Sequence, residues 1–433
     1  MIKSIKKLEN IKFYLEDLIH NRVIKSIYLK IIESFLLFLT SVFVTRFLGP
    51  SNYGKLIYIN SIIFILQPLY TIGVNSILQS DLSRDKNSTR ILNRLLTLQL
   101  ILFTIVSLIS FSIFNLFLNK EYFLIFLILQ IAFGFRIFDV FTKSLFIFDK
   151  GVESGKIYII SALKLLTLIL FCFLFGINIY LIALSYLINY ATDLIIIFKI
   201  LKNNNLSYFF YNLKIDFSHF KRNFMKGLPI TGSVLITMLL MKSDIIIISN
   251  FMDDISAGIY SAPIRLVSQV SILLNLISFN LIPKLKFQFV SRPDKNALKL
   301  YLSTWLFSLI IAILFFIFSP YIIRFGFGNE YSSSVKLLPL MSIIVFFNGI
   351  LLTDNAFLNF YNLRSIIFFK TLISLVLNIL FNILFIPKFG LQGVLLALLI
   401  STIFNSCGGI LFKKDLYYHY KNLFLPKISL FKK

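Results

Sequence analysis

The sequence predicts an all-α membrane protein with twelve transmembrane helices in two groups of six. Of its 433 residues, 58% are hydrophobic and only 14% are charged, whereas about 25% are charged in an ordinary soluble chain. The apolar residues form blocks of about twenty, which is the length a helix needs to cross a bilayer. Transmembrane strands would be about ten residues long and alternate in polarity, so the blocks indicate helices.

The chain begins with an amphipathic segment, residues 1–23, in which isoleucines and leucines recur near helical spacing with lysines between them. We expect an interfacial helix on an anionic membrane surface. A solvated leader is the alternative interpretation. No cleavable signal peptide is expected, because the segment is highly charged and no A-x-A-like site follows an apolar core.

Twelve predicted spans follow, and the longest interior loop divides them six and six. The prediction comprises an N-terminal bundle at 24–198, a basic cytoplasmic linker at 199–226, a C-terminal bundle at 227–412 and a basic cytoplasmic tail at 413–433. The spans run roughly over 24–46, 55–76, 91–118, 121–146, 156–176, 178–198, 227–251, 258–283, 302–325, 335–359, 364–386 and 391–412.

Lysine and arginine are distributed unevenly between the loops. The N-terminus, the loops after even-numbered spans and the tail are rich in them, whereas the loops after odd-numbered spans hold few. The positive-inside rule therefore predicts that both termini are cytoplasmic. It also accounts for the net charge of +24 better than nucleic-acid binding does, since the basic residues are spread over short loops.

The two halves contain similar motifs. FLGPSNYGKLIY follows the first span and FMDDISAGIYS follows the seventh, with Gly54 and Gly258 in equivalent places; NKEY precedes the fourth span and GNEY the tenth. Either this is chance similarity in a biased composition, or the chain contains a duplicated six-helix unit. Parallel repeats with a site between them are typical of transporters.

Two charged residues lie deep in the seventh and eighth spans. Asp244 is about 17 residues from one face and Arg265 about 7 from the other, so in an antiparallel pair their depths agree to within about one helical turn. A charge there costs about 2.5–3.5 kcal/mol unless it finds a partner or a watery cavity. The pattern predicts either a buried Asp244–Arg265 ion pair or two walls of one polar cavity.

Further charges lie within other spans, and two interpretations compete. Structurally, each cation pairs with a nearby carboxylate (Lys30–Glu33, Arg136–Asp139, Asp244–Arg265), while Lys143 and Lys164 extend to the interface. Functionally, they line a cationic cavity for an anionic substrate. The carboxylates are too few for all the cations, and Arg136 and Lys143 share one helical face, which favours the second interpretation. Lys242 and Asp244 are two residues apart and must point to nearly opposite sides.

No enzyme motif is present: the chain lacks G-x-S-x-G, a P-loop and H-E-x-x-H. Its two cysteines, Cys172 and Cys407, lie in apolar blocks, and the three histidines are scattered. We therefore expect no catalytic residues, no metal site and no cofactor.

Four motifs in order resemble one family. They are R-F-L-G-x-x-x-Y-G-K (Arg46 to Lys55), S-A-G-I-Y-S-A-P-I-R-L (Ser256 to Leu266) after Asp244, F-G-N-E-Y (Phe327 to Tyr331) and N-I-L-F-N-I-L-F-I-P-K-F-G-L-Q-G-V (Asn378 to Val394). The chain resembles the polysaccharide transporter branch of the MATE-like MOP flippase superfamily, which includes flippases for O-antigen and capsule repeat units. The resemblance covers essentially the whole chain.

The resemblance implies a MATE-like flippase fold, with two six-helix bundles around a central cavity and transport by alternating access. The implied substrate is an undecaprenyl-diphosphate-linked oligosaccharide, which moves from the cytoplasmic to the outer leaflet of the bacterial inner membrane. It would feed O-antigen (lipopolysaccharide), capsule or exopolysaccharide synthesis. An H+ or Na+ gradient is the implied drive, the bilayer and a polymerase or chain-length machinery are the implied partners, and no nucleic acid is expected.

Carried onto this chain, the resemblance assigns roles to the charged residues within the spans. The cations become substrate contacts in the cavity: Arg136, Lys143, Lys164, Lys242 and Arg265. An arginine suits a diphosphate because its planar fork donates two parallel hydrogen bonds. The carboxylates become ion-coupling sites or counter-ions: Asp244, Glu33 and Asp139.

Two rival functions are weaker. An ion-coupled multidrug or small-molecule antiporter of the same superfamily would need a cavity dominated by carboxylates, and the charges here are mainly cationic. A membrane glycan polymerase or glycosyltransferase usually has a large external loop, whereas each predicted external loop is about ten residues or shorter. Transport of a lipid-linked glycan is the preferred hypothesis.

Overall fold

The computed structural model describes residues 2–82, 88–147, 150–176, 178–203, 217–291, 293–360 and 362–412, and these residues contain helices and no strand. The α-helices are α1 (Ile2–Thr71), α2 (Val74–Leu82), α3 (Ser88–Phe117), α4 (Lys120–Phe135), α5 (Asp139–Ile147), α6 (Gly151–Leu174), α7 (Ile179–Asn203), α8 (Phe217–Phe251), α9 (Asp254–Ser291), α10 (Pro293–Phe327), α11 (Leu338–Phe360), α12 (Arg364–Phe389) and α13 (Leu391–Cys407).

Three segments of the sequence-based prediction fall partly or wholly beyond the described residues. They are the amphipathic side chains of residues 1–23, the centre of the linker and the tail at 413–433. At the edges of the linker, α7 extends to Asn203 and α8 begins at Phe217, so both helices are longer than the predicted spans.

Helix α1 is 70 residues long but is interrupted at Gly49, which has φ 68° and ψ 170°. Glycine tolerates this left-handed conformation and commonly ends a helix. The next residue, Pro50, has the φ value that suits the first position of a new helix. The break lies between the first two predicted spans, so α1 is two helices in sequence and not one long span.

Ten helical segments in the described residues are long and apolar enough to cross a membrane. One of them, Tyr28–Leu78, covers both of the first two predicted spans, and the shorter apolar helix Leu391–Cys407 matches the twelfth. Each remaining predicted span corresponds to one of the other nine helical segments. The prediction of an all-α, multi-pass membrane fold is confirmed.

The contacts divide the chain into two compact units. Unit 1 contains Met1–Phe43 and Leu66–Thr231, and unit 2 contains Val44–Ile65 and Gly232–Lys433. Residues 44–65, the end of the first predicted span and the start of the second, therefore pack with unit 2. The division of the twelve spans into two groups of six, as a duplicated unit, stays a prediction.

The core of unit 1 forms where α2, α3 and α5 meet residues of α1, α6 and α7. Fully buried side chains such as Leu92, Leu95 and Phe141 are at its centre. Tyr70 packs edge-on against Phe103, with the ring centroids 5.2 Å apart. This core supports one side of the fourth predicted span, which carries charged residues.

In unit 2, two glycines allow a close helix crossing, which we call the glycine crossing and which consists of Gly54 and Gly258. A Cβ atom on Gly54 would lie 1.8 Å from the backbone oxygen of Asp254, and one on Gly258 would lie 2.0 Å from that of Pro50. Real Cβ atoms do not approach so closely. The two equivalent positions of the sequence motifs therefore face each other across one contact.

The F-G-N-E-Y motif packs beside this crossing. Tyr331 donates a hydrogen bond from its hydroxyl to the backbone oxygen of Thr45, at 3.0 Å, and Arg46 reaches the backbone oxygen of Phe325 at 3.5 Å. Burial raises the pKa of the Tyr331 phenol well above its usual range, so the hydroxyl stays a neutral donor. Two motifs far apart in the chain are thus joined in unit 2.

Candidate functional site

The fourth predicted span is broken in its middle. Helix α4 ends at Phe135, a 3₁₀ turn occupies Arg136–Phe138, and α5 begins at Asp139. A short 3₁₀ stretch inside a helix often marks a functional position. The break places Arg136 and Asp139 at its two ends.

Asp139 belongs to a hydrogen-bonded chain in unit 1. Its carboxylate accepts a hydrogen bond from the hydroxyl of Tyr158 at 2.7 Å and pairs with Lys143 at 3.0 Å. The ring of Tyr158 also lies beneath the ammonium group of Lys30, which is 5.2 Å from the centroid. Lys30 in turn pairs with Glu33 at 2.8 Å, as the structural interpretation predicted.

The Arg136–Asp139 pair, which belonged to the structural interpretation, is not formed. Asp139 pairs with Lys143 because an acid four residues before a lysine is the favoured arrangement on a helix. The guanidinium of Arg136 lies between two rings instead, with its central carbon 5.5 Å from the centroid of Phe133 and 5.3 Å from that of Tyr190. Arg136 is exposed.

Lys164 is held by helix α7. Its ammonium group lies 2.8 Å from Asp193 and 2.7 Å from the hydroxyl of Thr192. The other oxygen of Asp193 accepts a hydrogen bond from Ser161 at 2.6 Å. Lys164 is therefore already neutralised within unit 1. Asp193 was not among the residues predicted from the sequence.

In unit 2, Asp244 is almost fully buried, with 3% of its surface exposed. Its two oxygens accept hydrogen bonds from the hydroxyl of Tyr260 and from the amide of Asn382, both at 2.8 Å. Asn378 joins the group by accepting hydrogen bonds from Asn382 at 3.1 Å and from Ser243 at 3.3 Å. These oxygen-rich side chains surround one buried carboxylate.

The ion pair, one of the two alternatives predicted for Asp244 and Arg265, is therefore not formed. Arg265 follows Tyr260 by five residues, which is about 140° around a helix. A helix that presents Tyr260 to Asp244 turns Arg265 away from it. The Nε atom of Arg265 is buried and has no hydrogen-bond partner in the part of the chain that the structure describes.

Lys242 and Arg265 lie close enough that their charges repel each other. Lys242 is about 14 Å from the end of α8 and Arg265 about 17 Å from the start of α9, at 1.5 Å per residue, so the two are at similar depth. The ammonium group of Lys242 lies 5.0 Å from the ring centroid of Phe64. Among the described residues neither cation forms an ion pair with a carboxylate.

A further ion pair in unit 2 was missed from the sequence. Asp354 on α11 and Lys370 on α12 are in direct contact, and neither side chain has any exposed surface. Asp354 lies six residues before the end of α11 and Lys370 six residues after the start of α12. The same comparison of depths that was applied to Asp244 and Arg265 would have found this pair.

The described residues contain no cluster of three metal-ligating side chains. The five predicted substrate cations fall into two groups. Lys143 and Lys164 pair with carboxylates, whereas Arg136, Lys242 and Arg265 have no carboxylate partner among the described residues. Such cations inside transmembrane helices are suited to binding an anion.

A model of the polysaccharide biosynthesis protein family matches residues 21–286. This chain belongs to that family. No curated protein matches the chain closely enough to count as a relative. The family assignment confirms the resemblance on which the motifs were interpreted.

Several solved structures of membrane transporters have a similar fold. The lipid II flippase MurJ, in an inward closed conformation, is 17% identical, with 92% of this chain and 90% of that chain covered and a TM-score of 0.73. An inward-facing multidrug resistance MATE family transporter of the MOP superfamily is 13% identical, with 90% and 96% covered and a TM-score of 0.71. A MOP superfamily transporter from Pyrococcus furiosus is 14% identical, with 93% and 96% covered and a TM-score of 0.61. The chain has the MOP transporter fold.

Proposed function

We propose that this protein is a flippase for undecaprenyl-diphosphate-linked oligosaccharide repeat units. It moves them by alternating access from the cytoplasmic to the outer leaflet of the bacterial inner membrane, for O-antigen, capsule or exopolysaccharide synthesis. Membership of a polysaccharide biosynthesis family with a transporter fold supports the class of substrate. A lipid-linked glycan is the form in which a membrane transporter would meet such a polymer precursor.

The observation that carries the proposal is the pair Lys242 and Arg265. Two cations at similar depth repel each other, and holding them inside a membrane is unfavourable unless an anion neutralises both. A diphosphate carries at least two negative charges and can do so. Arg265 supplies the planar fork for bidentate hydrogen bonds, and Lys242 supplies a point charge.

Lys143 and Lys164 contribute less to this proposal than the sequence suggested. Each already has a carboxylate within 3.0 Å, Asp139 and Asp193 respectively. Binding a phosphate there would require breaking an existing ion pair. We therefore assign the diphosphate to Lys242 and Arg265.

We propose Asp244 as the site for the coupling ion, H+ or Na+. Its burial, with Asn378 and Asn382 beside it, provides oxygen ligands in a place where an unneutralised carboxylate is costly. Among the described residues, the side-chain oxygen of Asn382 has no hydrogen-bond partner, so it is available to a cation. Glu33 and Asp139 are weaker candidates because each is paired with a lysine.

The test is the sidedness of the lipid-linked glycan in cells that lack this protein. Undecaprenyl-diphosphate oligosaccharide is extracted from inner membranes and quantified by mass spectrometry. We expect one complete, unpolymerised repeat unit to accumulate facing the cytoplasm. Restoring the wild-type protein should remove it, whereas Arg265→Gln and Lys242→Gln should not, at unchanged protein levels.

A matched control is Lys143→Gln, which should restore most flipping because Lys143 lies outside the proposed diphosphate site. If nothing accumulates and the surface glycan is intact, the flippase proposal fails. A multidrug or small-molecule antiporter would then be the better hypothesis, with Asp244 and Glu33 as the residues to examine.

A further inference from the structure

Arg136 differs from the three other cations of unit 1 that lie within the predicted spans and were discussed above. Lys30, Lys143 and Lys164 each pair with a carboxylate. The guanidinium of Arg136 forms no such pair, and its contacts are the rings of Phe133 and Tyr190. Its N–H donors, which face no acceptor in the described residues, remain able to bind a ligand.

The side chain is exposed although it does not lie on the lipid-facing side of its helix. That side is marked by Leu124 and Ile131, seven residues apart, which are 47% and 41% exposed. Arg136 is about 140° from Ile131 around the helix, on the same side as the buried Phe133 and Val140. Arg136 is therefore exposed on the side of the helix that faces away from Leu124 and Ile131.

The surroundings of Arg136 are aromatic and nearly neutral. Tyr190, the carboxylate of Asp139, Tyr158 and Tyr70 all lie near enough to interact electrostatically with it. The hydroxyl of Tyr70 is buried and has no hydrogen-bond partner among the described residues. The ring of Tyr190, which is half-buried, is suited to packing against a sugar.

Charge decides which part of the substrate this surface fits. Arg136 and its charged neighbours comprise three cations (Arg136, Lys30, Lys143) and two carboxylates (Glu33, Asp139), which leaves one surplus positive charge. A diphosphate would be under-neutralised there. A single carboxylate would be matched, and the guanidinium fork is complementary to it.

We propose that Arg136, held between Phe133 and Tyr190, is the subsite for a carboxylate-bearing sugar, such as a hexuronic acid, in the oligosaccharide. The inference rests on the proposed function, since it assigns a second part of the same substrate. The two rings hold the guanidinium in position, and the carboxylate of the sugar accepts its two parallel hydrogen bonds. The diphosphate stays with Lys242 and Arg265.

The experiment uses the purified full-length protein in lipid nanodiscs and three probes. They are a disaccharide with a terminal glucuronic acid, the methyl ester of that disaccharide, and farnesyl diphosphate. Dissociation constants are measured by NMR or calorimetric titration. The ester has the same rings but no charge, so it isolates the contribution of the carboxylate.

We expect the wild type to bind the acid about tenfold more tightly than the ester. Arg136→Gln should bind both equally while retaining its affinity for farnesyl diphosphate, which also shows that the variant is folded. Arg136→Lys should keep part of the preference, because the charge remains and the fork is lost. Tyr190→Leu should weaken the preference, and Tyr190→Phe should preserve it.

Arg265→Gln is the matched variant at the proposed diphosphate site. It should lose affinity for farnesyl diphosphate and keep the preference for the acid over the ester. The inference is overturned if the wild type does not distinguish acid from ester, or if Arg136→Gln loses farnesyl diphosphate as well. Failure of the wild type to bind farnesyl diphosphate would instead contradict the proposed flippase function. The two failures are thus separated by the probe that is affected.

Discussion

Asp354 and Lys370 bring opposite charges into contact where neither side chain has any exposed surface. Removing two charges from water costs several kcal/mol each, and their attraction does little more than offset that cost. The net contribution of the two charges together to the stability of the fold is therefore small. Each partner alone, however, would be an uncompensated buried charge.

The single variants Asp354→Leu and Lys370→Met should therefore each lower the free energy of unfolding by about 3–5 kcal/mol. The double variant should be close to the wild type, because both charges are gone and apolar groups of similar size replace them. Thermal unfolding of the purified protein would measure this. A double variant as unstable as the sum of the singles would contradict the argument.

Other residues explain what could be predicted at this scale and what could not. Depth along a helix follows directly from position in the sequence, and it predicted similar depths for Asp244 and Arg265. Rotation about the helix axis does not, because it depends on which neighbours pack best. Asp244 binds Tyr260 and not Arg265. Asp139 likewise binds Tyr158 and Lys143 and not Arg136.

At the scale of the helices, the glycine crossing of Gly54 and Gly258 is the closest approach that the repeated motifs produce. A methyl group on either residue would overlap the backbone of the facing helix, and backbone atoms cannot yield as a flexible side chain does. In contrast, nothing lies within 4 Å of a Cβ atom placed on Gly232, which is also inside a helix.

Gly54→Ala and Gly258→Ala should each lower the free energy of unfolding by about 1–3 kcal/mol, because the helices must separate to accept the methyl group. Gly232→Ala is the control, and it should be neutral or stabilising by up to about 1 kcal/mol, since alanine favours a helix. The comparison is made by thermal unfolding under one set of conditions. Equal stability of all three variants would show that the crossing is looser than described.

The helices themselves were predictable because the bilayer leaves the backbone little choice. Each buried peptide group must be hydrogen-bonded within its own segment, so a long apolar block becomes a helix. The division of α1 was predictable as well, since Gly49 and Pro50 carry clear local signals. The packing of residues 44–65 with unit 2 was not predictable, because it depends on contacts between motifs that are nearly 300 residues apart.

For the whole molecule, the number of membrane crossings decides which loops face which side. Asn52 lies at the break in α1, Asn119 between α3 and α4, and Asn203 at the end of α7; all three are exposed. With two crossings in α1, the positive-inside orientation puts Asn52 and Asn119 outside and Asn203 in the cytoplasm. If α1 crossed only once, Asn52 would not reach the outer surface.

This is tested with single cysteines at these three positions, in a chain whose Cys172 and Cys407 have been replaced by serine. A membrane-impermeant maleimide should label the cysteines at positions 52 and 119 in intact cells. It should label the cysteine at position 203 only after the membrane is permeabilised. Labelling at position 203 in intact cells would show that the orientation is the opposite of the predicted one. The proposed flippase would then have to carry its substrate in the opposite direction relative to its own loops.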